Sequence, residues 1–296
     1  MTIGGDPLDY AMEHLQGARR FSRYVAAVCP FHDDNKASLL VYPDGYRCLA
    51  CGARGKLEKL WQTSTISTLA LEKPPAQYRP NVPEGWDNER LARSAHHVLS
   101  DTPGLQQYLI QRGLGRAIRS FQYGYWDGWY TIPIRDQDDK VQELVFRAGP
   151  WIQSATGSRF WQRSGQHARM YCPDWALLRR QELVFVTFGL FDAATLALHH
   201  YPAVTSTIGK GSFQPDWLGW FNGYVIIIPD LEEEKEAHLL ASKLGWRGRV
   251  LLLPYPEGCK DPNDMEQHDP ELLVGSIDEY QRNIAASGWV GLTGKV

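Results

Sequence analysis

Cys29-Pro-Phe-His32, followed after fifteen residues by Cys48-Leu-Ala-Cys51-Gly52, is the stretch that decides how this chain is read. It supplies four soft or borderline ligands as two pairs, each pair separated by two residues. A structural Zn2+ takes a closed tetrahedron of thiolates and imidazole. The short spacing lets two ligands on one tight turn reach the same ion. Three of the chain's five cysteines fall in this pattern. Val25–Val28 and Ser38–Tyr42 read as strands, Asp44-Gly45 as a hairpin turn, and Tyr46-Arg47-Cys48 as the start of the return strand. Leu8, Met12 and Leu15 predict a short helix before them, and Lys56–Thr63 reads as a helix after them. The expectation is a small zinc ribbon holding one structural zinc through Cys29, His32, Cys48 and Cys51. Cys172 and Cys259 are isolated, a usage that suits a reducing compartment rather than a disulfide framework.

Working outward, residues 73–88 hold four prolines and no apolar periodicity, the composition of a semi-rigid linker. Glu89–Leu99 and Pro103–Arg112 then read as helices, with Gly113 and Gly115 as stop signals. Phe121–Tyr125, Tyr130–Ile134 and Val141–Phe146 read as short strands before a segment rich in Arg and Trp. From 181 the pattern becomes strand–helix. Leu183–Phe188, Val204–Thr207, Val225–Pro229 and Arg249–Pro254 are the strands; Asp192–His200 and Glu232–Leu244 are the helices. Such alternation predicts a parallel sheet covered on both faces. The expected organisation is a zinc-binding domain at 1–72, a linker at 73–88, a mixed α/β basic subdomain at 89–180, a Rossmann-like parallel-sheet domain at 181–275 and a C-terminal tail at 276–296. The fold class is α/β, or α+β for the chain as a whole.

With 296 residues, 43% hydrophobic and 22% charged, the chain has material for two or three domains. No stretch approaches the roughly 18 apolar residues of a membrane span. Met1–Pro7 lacks the basic start and apolar run of a secretory signal. A cytoplasmic location and no membrane partner are expected. The net charge of −3 is unevenly spread: residues 74–180 carry 14 basic against 10 acidic side chains, and residues 181–296 carry 8 against 16. The basic middle suits a phosphate backbone, and the acidic back suits hard cations.

In open parallel sheets, functional groups collect beyond the C-terminal ends of the strands. There the first strand is followed by Gly189 and Asp192, the third by Asp230-Leu231-Glu232, and the fourth by Lys260-Asp261-Pro262-Asn263-Asp264. Carboxylates on adjacent strand ends suit Mg2+, which takes oxygen ligands and keeps water for a phosphate substrate. Asp230, Glu232, Asp261 and Asp264 are the candidate magnesium ligands. Asp192 suits the start of a helix equally well. A second cluster, Arg147, Arg159, Arg163, Arg169, Arg179 and Arg180, is interleaved with Trp151, Phe160, Trp161, Tyr171 and Trp175. Basic groups for phosphates beside aromatic faces for bases are what single-stranded nucleic acid requires. The alternative is a solvated basic edge over core tryptophans. His96-His97 and His199-His200 read as surface helix residues, and Ser/His/Asp catalysis has no support.

In this order the pieces resemble the bacterial DnaG-type primase family. The zinc stretch is similar to that family's CHC2-type zinc-binding domain. Gln107–Leu114, Ile132–Asp136 and Phe146-Arg147 resemble the N-terminal half of its RNA-polymerase domain, and Arg159–Tyr171 resembles the basic crossing before the catalytic core. The series from 183 resembles a Toprim domain. The resemblance implies a nucleotidyltransferase that binds a single-stranded DNA template and joins nucleoside triphosphates into short RNA primers. Asp230, Glu232 and Asp192 would be catalytic, with Mg2+ or Mn2+. Arg147, Arg159, Arg163, Arg169, Trp161 and Lys260 would meet template or nucleotide. Tyr46, Arg47, Arg54 and Lys56 would form the DNA face of the zinc domain. The implied partners are a replicative helicase or other replication or mobile-element proteins at the nucleoid, and the implied source is a phage, plasmid or mobile element. No helicase-interacting domain is expected after residue 275.

One position departs from the family pattern. The first Toprim strand ends in Glu-Gly in the family and in Phe188-Gly189 here. Phenylalanine neither ligates a metal nor moves a proton. The resemblance therefore also implies an alternative: a catalytically degenerate relative acting as a DNA-binding or scaffold subunit of a replication, mobile-element or defence complex.

Overall fold

A computed structural model describes residues 6–30, 37–49, 53–57, 60, 79–150, 152–153, 159–162, 167–209 and 211–286. Helix α1 (Pro7–His14) begins where the Asp6 carboxylate accepts a hydrogen bond from Leu8 N at 2.9 Å. Pro7 fills the first helical position, where no N–H is needed. Arg20 pairs with both Asp6 and Asp9 and so ties α1 to strand β1 (Arg19–Arg20). β2 (Val25–Ala27), β3 (Leu39–Tyr42), β4 (Gly45–Cys48) and β5 (Arg54–Gly55) extend an antiparallel sheet in sequence order. Leu39 lies opposite Cys48 and Val41 opposite Tyr46. The inward positions of this hairpin thus form one buried cluster with Val25, Ala27 and Leu60.

A second antiparallel sheet runs β6 (Gly124–Trp126), β7 (Trp129–Arg135), β8 (Val141–Ala148) and β9 (Phe160–Trp161). Both of its faces are covered. Leu144 and Phe146 pack with Leu91 and Ala92 of α2 (Asn88–Asp101). Ile132, Ile134 and Val145, on the other face, share a cluster with Leu109 of α3 (Pro103–Gln111), Ala117 of α4 (Gly115–Ser120), and Phe185, Leu196 and Ile226 of the third layer. β6 lies close against α2 because Gly124 has no side chain: a Cβ there would stand 2.6 Å from the Ala95 backbone.

The third layer is the parallel sheet, ordered β10 (Met170–Tyr171), β12 (Ala203–Ser206), β11 (Leu183–Val186), β13 (Tyr224–Ile227), β14 (Gly248–Val250). Only β10 is antiparallel to its neighbour. β11 is buried along its whole length, as its uninterrupted apolar run requires. The covering helices are α5 (Trp175–Leu178), α6 (Leu190–Leu198), α7 (Glu234–Leu244), α8 (Pro262–His268) and α9 (Pro270–Ala286). None of the described helices is long and apolar enough to cross a membrane.

Three expectations need correction. Gly113 does end α3, at φ +70°, but Gly115 opens α4, because Leu114, Ala117 and Ile118 are all buried and hold another turn of helix in place. The fourth parallel strand is Gly248–Val250 rather than running to Pro254; one further bond to β13, Leu251 N to Ile227 O at 2.9 Å, closes it. The tail expected from 276 is instead the second half of α9. Leu273 and Ile277, four residues apart on one helix face, are both fully buried in the shared core.

Candidate active site

Chain order and strand order diverge around β11: the chain steps to β12 on one side, then crosses to β13 on the other. The crevice between the ends of β11 and β13 is the place where a doubly covered sheet presents functional groups. Beyond β11 the chain turns at Gly189 into α6 and sets Asp192 in its first turn, 4% exposed. A Cβ on Gly189 would collide with Asp192 Oδ2, so the carboxylate occupies space that only glycine leaves. Beyond β13 comes Asp230. Beyond β14 a loop brings Asp261 to the start of α8, where its carboxylate accepts from Asp264 N at 2.7 Å.

Asn263 knits these ends together. Its N–H donates to Asp192 Oδ1 at 3.0 Å, and its amide donates to Thr195 Oγ1 at 2.9 Å and Arg112 O at 2.8 Å. Arg112, at the end of α3, places Nη1 3.3 Å from Asn263 Oδ1 and 3.5 Å from Asp264 Oδ1. The Tyr255 hydroxyl donates to Pro229 O at 2.8 Å beneath Asp230.

The electrostatics follow from crowding acids in a half-dry crevice. Burial, then the charges of Asp261, Asp230 and Asp264, hold the Asp192 carboxyl well above the ordinary range. Asp230 is pushed up to about 7 by burial, Asp261 and Glu233, with Lys260 pulling the other way. Asp261 is raised by burial and by Asp264, against the pull of Asp264 N, Arg112 and Lys260. Burial disfavours the Arg112 charge, but Tyr108, Asp264 and Asp261 outweigh it and hold this guanidinium above its usual value.

Asp230 Oδ1 is a buried oxygen with no hydrogen-bond partner, a costly arrangement unless a cation is to be met there. Among the described residues no three His, Cys, Asp or Glu side chains form a closed metal-binding group. Mg2+ does not require one: it is commonly held by one or two carboxylates, with water and substrate phosphate completing the shell. The residues present fit that ion. Glu232 does not join them as expected. It is exposed, at φ +71°, and the acid that acts on Asp230 is Glu233. Arg112, Glu233 and Tyr255 escaped the sequence reading. Arg112 registered only as a helix end, and nothing local marks Tyr255.

The basic cluster is more divided than expected. Arg147 is only 8% exposed, with its guanidinium 4.8 Å from the Phe160 ring and 5.5 Å from the Phe191 ring. The cause is alternation along β8, which puts Arg147 on the same inward face as Val145 and the buried Glu143. Trp161 packs edge-on against Phe146 at 5.1 Å and so belongs in part to the core. Arg159 and Arg169 are exposed, Arg169 with Nε 3.5 Å from Glu143. Arg163 lies outside the described residues. In the first sheet, Tyr46 is 4% exposed and core, because it pairs inward with Val41. Arg47, Arg54 and Lys56 are exposed. Cys29 and Cys48 are buried, with Ser38 Oγ 3.2 Å from Cys48 Sγ. His32 and Cys51 lie outside the described residues.

No protein-family model matches the chain. A DNA primase of Halalkalibacterium halodurans is 32% identical over 163 residues, covering 46% of this chain and 27% of that protein. The chain is similar to DNA primases over part of its length. A DNA primase of Chlamydia pneumoniae is 25% identical over 207 residues, covering 64% of this chain and 32% of its own length. The chain thus spans about a third or less of the primases it matches. The RNA polymerase domain of Mycobacterium tuberculosis primase DnaG, solved with double-stranded DNA, superposes with a TM-score of 0.51 at 17% identity. It covers 64% of this chain and 78% of that one, and it bears on the fold alone. Phe188 stands two residues beyond the end of β11, just before Gly189. It is 8% exposed and packs with Val184, Val186, Phe213 and Ala237, on the face of the sheet opposite Phe185 and Leu190.

Proposed function

We propose that this chain binds single-stranded DNA and makes short RNA primers by metal-assisted nucleotidyl transfer, using the crevice between β11 and β13. The observation that carries the reading is the gathering of Asp192, Asp230, Asp261 and Asp264 at adjacent strand ends, where Asp261, Asp230 and Asp264 raise the proton affinity of Asp192, and Asp261 and Asp264 that of Asp230. Asp230 and Asp261 would hold Mg2+ or Mn2+, with Asp264 beside them. The bound ion would supply charge stabilisation on the transferring phosphoryl group. Asp192, fixed by Asn263 N, would keep the acidic field in place, and Arg112 would brace Asp264. Lys260, exposed beside Asp230, would meet nucleotide phosphate. The 3′-oxygen of the primer would form the new bond to the α-phosphorus as the bond to the leaving pyrophosphate breaks, and the hydroxyl proton would pass to solvent water. Exposed Arg159 and Arg169 would contact the template, and Arg147 would do so only after its aromatic sandwich opens. Nucleoside triphosphates, template and a replicative helicase or mobile-element proteins would be the partners, in the cytoplasm at the nucleoid.

Primer synthesis on single-stranded templates with Mg2+ or Mn2+ tests this. The wild type should yield labelled primers, and Asp230→Asn should reduce the yield by at least about 10²-fold. Absence of product from the wild type with either metal would leave the second reading, a DNA-binding scaffold subunit. Phe188 favours that reading, because an apolar ring occupies the position of a carboxylate.

We also propose that Cys29, His32, Cys48 and Cys51 hold one zinc. Metal analysis of the purified protein should return one equivalent, and Cys48→Ser should lose it. Full zinc retention by that variant would remove Cys48 from the ligand set.

A further inference from the structure

A cavity of about 540 Å3 lies where α2, α3 and α4 meet. His96, Ser100 and Gln106 line it from the first two helices, and Arg116 and Arg119 from the third. No carboxylate appears in the lining. The polar groups are held in place. His96 Nδ1 lies 3.0 Å from Tyr123 O and its Nε2 3.4 Å from Ser100 Oγ. The Gln106 amide donates to the carbonyls of Leu99 and Ser100 at 3.0 and 2.9 Å. Arg116 donates to Leu198 O at 2.8 Å, at the end of α6 opposite Asp192. Leu198 lies six residues beyond Asp192 on α6, on the order of 9 Å along the helix axis. The cavity is therefore separate from the acidic crevice. Another cavity among the described residues, about 390 Å3, is lined by Asp136, Asp139 and Asp174 together with Arg135 and Arg179, and so has no such bias of charge.

We propose that the α2–α3–α4 cavity is a second site for a nucleotide phosphate. Two guanidiniums, Arg116 and Arg119, offer donors to the phosphate oxygens. Volume well beyond a bare phosphate, with Ser100 and Gln106 in the lining, leaves room for the sugar and base. The phosphate belongs either to a free nucleoside triphosphate or to the 5′ end of a nucleic acid strand.

Binding measured in EDTA separates this site from the metal-dependent crevice. The probes are fluorescent ATP and a short single-stranded DNA with or without a 5′-phosphate. ATP binding to the wild type marks a free-nucleotide site. Binding of the phosphorylated strand in preference to its unphosphorylated form marks a strand-end site. In either case Arg119→Glu should weaken binding by at least tenfold and Arg119→Lys should largely restore it, while Asp230→Asn leaves it unchanged. Arg119 is exposed, so its substitution should keep the wild-type melting temperature. If neither probe binds in EDTA, or if Arg119→Glu binds as tightly as the wild type, the site does not exist. Loss of primer synthesis in Asp230→Asn with EDTA binding intact would uphold both sites independently.

Discussion

The melting temperature of the protein stripped of divalent cations is expected to fall as pH rises from about 4 toward 7, and to recover at neutral pH when Mg2+ or Mn2+ is added. Asp230 is raised to about 7, and Asp192 and Asp261 are also raised. A carboxyl whose folded pKa exceeds its unfolded one binds its proton more tightly in the native state. Its stabilising share is complete below the unfolded value, about 3.9 for Asp, and is lost as pH climbs through the folded value. For Asp230 the loss amounts to a few kcal/mol, because each pH unit separating the folded from the unfolded value is worth about 1.4 kcal/mol. Glu143, buried and pushed up to about 7, tilts the curve in the same direction. The metal is therefore the discriminating arm. Asp230→Asn should flatten the slope, raise the metal-free melting temperature at neutral pH and blunt the response to Mg2+. A wild-type melting temperature that ignores Mg2+ at neutral pH would show that these carboxylates are not a cation site.

Phe188→Glu is expected to destabilise the protein by about 3–5 kcal/mol, lowering the melting temperature by roughly 10 °C, without increasing primer synthesis. The substitution removes a ring from the cluster of Val184, Val186, Phe213 and Ala237 and leaves a carboxylate in its place. It does so on the side of the sheet where α7 begins with Glu234 and Glu236, so the new charge gains no partner there. Phe188→Leu, which keeps an apolar side chain, should be much milder. A Phe188→Glu protein as stable as the wild type, with more primer synthesis, would mean that the strand end can turn its carboxylate into the crevice. The chain would then lack only that group.

Local pattern carried a good deal of this protein. The βαβ rhythm after 181 was legible because β11 and β13 are continuous apolar runs, Leu183–Val186 and Tyr224–Ile227, set off by helices with polar faces. The first hairpin was legible from Asp44-Gly45 and the alternation around it. Asp192, Asp230 and Asp261 could be picked out because the strand-end rule converts position in sequence into position in space. The errors arose where burial depends on a distant partner. Tyr46 and Arg147 look like surface residues in a basic aromatic context, yet register along β4 and β8 turns both inward. Glu232 sits in the expected motif, exposed at φ +71°, while its neighbour Glu233 is the acid that raises Asp230. The stretch after 275 lacks a strong motif, and only its contact with Met265 and the sheet core makes it a structural helix.

By itself the sequence determined the kinds of layer, their order along the chain and the acids at the strand ends. These follow from periodicity and spacing, which are local properties of the polypeptide. Tertiary structure alone decided which acids share one field, that Arg112 and Asn263 brace them, and that Phe188 faces the second core. Those facts depend on separations of 70 to 150 residues being closed to hydrogen-bond distance, as between Asp192 or Arg112 and Asn263, and no local pattern encodes such contacts.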